Sequence, residues 1–522
     1  MRRRTPSRGR RGFRVILSVL ILVAGWIAWA TRDTHPIRSF VPSGLSYHVV
    51  VFDVFEHQAA LAETSVWQAL SDAVNLPMDV RALSRTTHMP EWVLRNLLGD
   101  VCHVSGEDLD AFSDVVVISR MSRIGRLVEI FQVAIPNIAT DYAGGLRLRE
   151  MPDASLYYAV RGRLLIASRS RNALIRRLVL HEDEMIDKAQ LDNLVEESGG
   201  GELIRGAIAL DAHDRFGDAV KWAGFAGHVD ADAAHLKWRV VLTESCRDRF
   251  AGLLENAAPA ELVLPPEGLV EISGHFGKPV SAVAQTLTAI LTPVLGRNGE
   301  EAHDPAEGGA VATGMPDDLD GFLQMLGPGF RLVWCGIDGN EMFPVPEIAG
   351  YFDAQSGLLE GLIDLIPPPP PDAKPWDPVL RYDPETRRAR LPLIGGPSLE
   401  PTFAVHGNAL LASSSAVLAD RLLRDAPPAQ VVPKPANLFI RIRPAPCCAE
   451  IVAVGRLLAE QHFLKGYSQE SFEEAAAAWQ AKAALVREAT GTFSVEKDTI
   501  TGELVLSFAH AAPSESGQGR RS

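Results

Sequence analysis

The chain has 522 residues, 47% hydrophobic and 22% charged, enough apolar material for cores in about two to four domains and too much for a disordered chain. Five cysteines are too few for a disulfide scaffold. A net charge of −14 opposes nucleic acid as a partner.

Arg2, Arg3, Arg4, Arg8, Arg10, Arg11 and Arg14 precede an uncharged run from Val15 to Ala30. Arginines on one flank of an apolar segment predict that residues 1–14 stay in the cytoplasm and the rest is exported. The segment 15–31 therefore reads as a transmembrane helix or uncleaved signal, and the body as periplasmic, attached to the inner membrane by a single pass. The run is short for a ~30 Å hydrocarbon core, and Ala28-Trp29-Ala30 also fits the small-x-small cleavage pattern of a signal peptide. Arg10-Arg11 resembles a twin-arginine signal, a pairing that chance supplies easily among seven arginines. With those seven set aside, 44 basic residues face 65 acidic ones, so the exported body is strongly acidic.

The body is written twice. Tyr157 to Leu178 (YYAVRGRLLIASRSRNALIRRL) recurs as Thr402 to Leu423 (TFAVHGNALLASSSAVLADRLL). Pro42-Ser43-Gly44-Leu45 is echoed by Pro266-Glu267-Gly268-Leu269, and the run from Val115 matches that from Glu347 with Gly125 over Gly357. These matches predict repeat one over 38–260, repeat two over 261–510 and a polar, disordered tail over 511–522.

Within each copy the period alternates between two and 3.6. Tyr47 to Val54 predicts a strand, and Ser65 leads a helix bearing Trp67, Leu70 and Val74. Val283, Leu287, Ile290 and Leu291 sit at helical spacing in the second copy. Ala159 and Val160 lead through a Gly turn into Leu164 to Ala167, with Ser168 or Ser170 capping a helix to Leu178. A capping box at Ser471 and Glu474 opens a late helix that Gly491 stops, and two strands follow. The fold class is α+β: two tandem homologous copies, each an antiparallel sheet with helices packed on one face, after the N-terminal helix.

The candidate chemistry is sparse. Ser168/Ser413 and Ser170/Ser415 recur in both copies but sit at a helix start and lack a nucleophile elbow. Asp211 and His213 share a strand face, and two ligands do not make a metal site. Cys102 and His103 are strand neighbours that point to opposite faces. His181 to Glu184 lacks a zinc spacing, Asp317 to Gly321 lacks the distal Glu of a calcium loop, and Gly274 to Lys278 is no phosphate loop. No catalytic residue, metal or cofactor is assigned, and the reading leans away from an enzyme.

One asymmetry points to a contact surface. Arg161, Arg163, Arg169, Arg171, Arg176 and Arg177, with Arg147 and Arg149 just before them, crowd the first copy, and of the six matching positions the second copy keeps an arginine only at Arg421. They are candidates for contact with a ligand or an anionic membrane surface, against the plainer reading of a solvated face balanced by nearby acids.

The anchor, the Pro-x-x-Leu-led first strand, the Trp-bearing helix and the two copies resemble exported bacterial proteins of a tandem-copy family of unknown function. That resemblance implies no reaction. The expectation is a non-catalytic, membrane-anchored binding or scaffolding protein of the bacterial envelope, whose partners are the membrane through its N-terminal helix, and a protein or a lipid. The alternatives are a carrier of a hydrophobic ligand between two lobes and a hydrolase with an unrecognised site.

Overall fold

The computed structural model describes residues 21–52, 84–187, 202–210, 219–251, 268–278, 326–354, 370–424 and 437–508, apart from short interruptions inside these ranges. Two compact units divide the chain, Met1–Ala209 with Gly224–Ala231, and Leu210–Ala223 with Asp232–Ser522. The helix expectations at Ser65 to Val74 and Val283 to Leu291, the sites at Asp211 to His213 and Asp317 to Gly321, and the tail lie outside the described residues.

Residues 21–30 are helical and expose Ile21, Leu22 and Trp29. Among the described residues no helix is long and apolar enough to cross a membrane; residues 1–20, which hold the arginines and the start of the apolar run, lie outside them.

Unit one contains β1 (Tyr47–Phe52), α1 (Glu91–Leu98), β2 (Val101–Gly106), β3 (Val116–Arg120), α2 (Arg123–Phe131), β4 (Ala139–Ala143), β5 (Leu146–Met151), β6 (Leu156–Arg161), β7 (Leu164–Ser168), α3 (Arg171–Leu178) and β8 (Ile204–Ala209). The strands pair antiparallel in the order β8-β1-β2-β3-β7-β6-β5-β4. The β6–β7 hairpin turns at Gly162, whose φ of 59° is left-handed, the conformation that glycine adopts without steric cost. Ser170 then caps α3 by accepting a bond from the Ala173 amide at 3.2 Å, as the serine reading predicts.

The expectation of helices on one face does not hold in this unit. Leu164 and Ile166 of β7 pack with Ala173 and Leu174 of α3 and with Phe40 and Val41. Leu165 and Ala167, pointing the other way, pack with Leu94 and Leu97 of α1 and Val128 of α2. The cause is in the strand itself: LLIA has no polar position, so alternation delivers apolar side chains to both faces and both need cover.

Unit two adds to β9 (Val220–Val229), which is divided between the units at Gly224, the elements β10 (Ala233–Leu242), α4 (Glu244–Ala251), β11 (Val270–His275), β12 (Leu326–Asp338), β13 (Val345–Ala354), β14 (Arg381–Asp383), β15 (Arg388–Arg390), β16 (Thr402–His406), β17 (Ala409–Ser413), α5 (Ala416–Arg424), β18 (Leu438–Ile442), α6 (Pro444–Glu460), α7 (Gln469–Ala484), β19 (Val486–Glu496) and β20 (Thr499–Phe508). The antiparallel order is β14-β15-β16-β17-β13-β12-β11-β18-β19-β20-β10. From β14 to β18 the neighbours follow the same sequence as β4 to β8 in unit one. Ser415 caps α5 at the Leu418 amide, 3.0 Å, as Ser170 caps α3.

The late helix differs from its expectation. Ser468, not Ser471, is the N-cap of α7, with Ser471 answering from the third position. Gly491 lies inside β19 between Ile440 and Leu504, because the run TGTFSV is rich in strand-forming Thr, Phe and Val and has partners on both sides.

Candidate anion-binding cleft

A cleft of about 820 Å³ opens in unit one. Its charged lining is Arg38, Arg95, Arg120, Arg123 and Arg163 against a single carboxylate, Asp100. Pro36, Ile37 and Val101 give it an apolar side.

Local structure places each arginine. Arg120 ends β3, and Ser122 follows as the N-cap of α2, accepting from the Gly125 amide at 2.9 Å. The Ser122 hydroxyl also donates to the Asn96 side chain at 2.5 Å, and its amide to the Asn96 carbonyl at 2.9 Å, fastening α2 to the end of α1 that carries Arg95. Gly125 makes this approach possible, since a Cβ there would lie 1.9 Å from the Asn96 carbonyl oxygen. Arg163, one past Gly162, donates from Nε and Nη2 to the Met121 carbonyl at 2.9 and 2.7 Å. Arg120 pairs with Asp33. Among the described residues no carboxylate pairs with Arg38 or Arg123. The N-terminus of α2 faces the cleft through Ser122 and Arg123, and its partial positive charge adds to that of the side chains.

Behind the arginines lies a buried pair. His103 of β2 lines the cleft, and its Nδ1 is 3.1 Å from Nε2 of His48 on β1; one ring donates and the other accepts. Both are almost wholly buried. Burial, then the His103 ring and Arg177, pushes His48 down to about 3, and burial with Arg120 pushes His103 down to about 4. Both rings are neutral at pH 7. Unit two holds an ion pair at the corresponding lattice place. His48 stands opposite Ser105 and His103 opposite Val50; Glu271 stands opposite Val333 and Arg331 opposite Ser273. Glu271 meets Arg331 at 2.8 Å and Arg441 at 2.7 Å, with Arg331 fully buried. Burial, only partly offset by Glu271, lowers Arg331 to about 10.

The arginines singled out from sequence have different surroundings. Arg163 lines the cleft, Arg161 is half-buried at the end of β6 and Arg169 is exposed before the Ser170 cap. Arg171 forks onto Asp141 at 2.9 and 2.8 Å, holding that carboxyl below the usual range. Arg176 meets Glu107 at 3.0 Å, and Arg149 is buried against Glu129. Arg177 is buried, 2% exposed, where desolvation lowers its pKa. Cys102 and His103 are not brought together: the Cys102 thiol donates to the Leu98 carbonyl at 3.4 Å and is pushed up by burial.

Arg38, Arg95, Arg120 and Arg123 escape the sequence reading, as does the histidine pair. A signal existed in the spacing of Arg120, Arg123 and Arg126 around a Ser cap, but only the fold adds Arg38 and Arg163 to it. The lining offers a cation two ligand types, His103 and Asp100, amid five guanidinium groups that repel it. The arrangement suits an anion.

No protein-family profile matches the chain. No curated protein matches it in sequence. Among solved structures, crystal form I of TP0453 is similar over 41% of this chain and 81% of its own, at 9% identity and a TM-score of 0.26. Crystal form III covers 44% and 89%, at 10% identity and a TM-score of 0.23. Likenesses at such TM-scores carry neither fold nor function to this chain.

Proposed function

We propose that this chain is a non-catalytic binding or scaffolding protein of the bacterial envelope, held at the inner membrane by a single N-terminal pass with its body in the periplasm. The observation that carries the binding reading is the arginine-lined cleft. Guanidinium groups stay protonated in proteins, so they attract and orient an anion but cannot shuttle its protons. The two histidines beside them are neutral, and each ring's visible partner is the other. Seven arginines ahead of an uncharged run support the topology. The shared strand order and the paired Ser170 and Ser415 caps support two tandem copies over 38–260 and 261–510.

Fractionation of a Gram-negative host expressing the full chain tests this. The chain should sediment with membranes through a high-salt wash, and protease added to spheroplasts should digest the body. Recovery from the cytosol, or protection of the body until the inner membrane is lysed, would overturn the location.

A further inference from the structure

We infer that the unit-one cleft binds a phosphate ester carrying an apolar portion, seated where a phospholipid head group would lie beside the N-terminal segment; this deepens the binding reading above. The charge balance selects the anion. Asp33 pairs with Arg120 and Asp100 lines the same cleft, while among the described residues no carboxylate pairs with Arg38 or Arg123, two charges that a single carboxylate would not match and a phosphomonoester dianion would. Guanidinium forks fit phosphate oxygens in pairs, and the N-terminus of α2 supplies a further attraction for the same group. The volume argues for more than the ion. A cleft of about 820 Å³ exceeds what inorganic phosphate fills, and Pro36, Ile37 and Val101 give an ester's organic part an apolar wall.

Position favours a lipid source. The wall at Pro36 to Arg38 begins six residues after Ala30, so it lies within ~20 Å of the apolar segment. That connection is strapped to unit one: Asp33 pairs with Arg120, and Thr34 sits against Gly162, where an added Cβ would meet its Oγ1 at 2.5 Å. Trp26 of the helical stretch packs its ring 5.8 Å from that of Phe131 on α2, and Ile124 and Phe131 are exposed on that helix. The helix whose first turn lines the cleft therefore also carries exposed apolar side chains and meets Trp26 of the N-terminal segment, a pairing of cationic and apolar groups that suits an interfacial site.

The test uses the full chain in nanodiscs of neutral phosphatidylcholine, titrated calorimetrically with inorganic phosphate, glycerol phosphate, dihexanoyl phosphatidic acid and dihexanoyl phosphatidylcholine. Phosphatidic acid should bind at least about tenfold more tightly than either soluble phosphate, with no binding of the phosphatidylcholine. Arg38→Gln and Arg123→Gln, both at exposed positions, should each weaken that binding about tenfold, while the exposed unit-two control Arg424→Gln leaves it unchanged. Equal affinity for glycerol phosphate and the lipid would overturn the lipid source. Absence of binding, or binding indifferent to Arg38 and Arg123, would overturn the cleft itself. The titration does not depend on where the cell places the chain, so its failure is separable from failure of the fractionation.

Discussion

Acidification from pH 7 to pH 5 should loosen unit one through His48 and His103. In the unfolded chain both titrate near 6.5, whereas in the fold burial and nearby cations bring them to about 3 and about 4. Folded pKa values below the unfolded ones mean that the unfolded chain takes up protons first. The stability at stake is intact above about pH 7, declines as pH falls through 6.5, and stops declining once the folded rings protonate near 4 and 3. At pH 5 the folded rings are still neutral, and each histidine costs about 2 kcal/mol, about 4 kcal/mol for the pair. Hydrogen exchange of peptides covering β1 and β2, corrected for intrinsic exchange rates, reads this loss as a fall in opening free energy. The His48→Gln/His103→Gln variant removes both titrations and should abolish most of the fall. Equal protection at both pH values in the wild type, or an undiminished fall in the variant, would refute the reasoning.

In unit two, Glu271→Gln leaves the buried Arg331 and the half-buried Arg441 without their shared countercharge and should cost about 3–5 kcal/mol, measured as a lowered urea midpoint. Gly125→Ala drives a Cβ into the Asn96 carbonyl and should destabilise unit one by about 2 kcal/mol or more, with increased exchange in α1 and α2. Ser170→Ala and Ser415→Ala each remove an N-cap bond and should cost about 1 kcal/mol apiece in thermal unfolding. A loss from one serine and none from the other would argue against equivalent roles in the two units.

Local signals were legible without the structure. The hairpin and helix at Tyr157 to Leu178 and at Thr402 to Leu423 follow from alternation, a glycine turn and a serine cap, and all three act within a few residues. The α+β class follows from the same switching of period. Alignment between the two stretches is less exact: glycine spacing matches Val115 with Glu347, yet pairing with β7 and β17 makes Val116 correspond to Ala349, a slip of one residue. Consecutive apolar residues look alike in either register, and only cross-strand hydrogen bonding distinguishes them.

The site needed the fold. His48 and His103 are 55 positions apart and meet because β1 and β2 are antiparallel neighbours in one register. Arg177 reads as part of a solvated basic helix, yet it is interior because α3 turns that side inward. Arg38, Arg95, Arg123 and Arg163 come from four separate segments, and their convergence depends on the Gly125 contact, the Ser122–Asn96 clasp and the Arg163–Met121 bonds. Sequence by itself determined composition, charge, the recurrence of the segment Tyr157 to Leu178 at Thr402 to Leu423 and the short-range elements, since these depend on neighbours along the chain. Tertiary structure alone decided which faces are covered, which arginines are consumed by carboxylates and which line the cleft, because burial and pairing are set by residues distant in sequence.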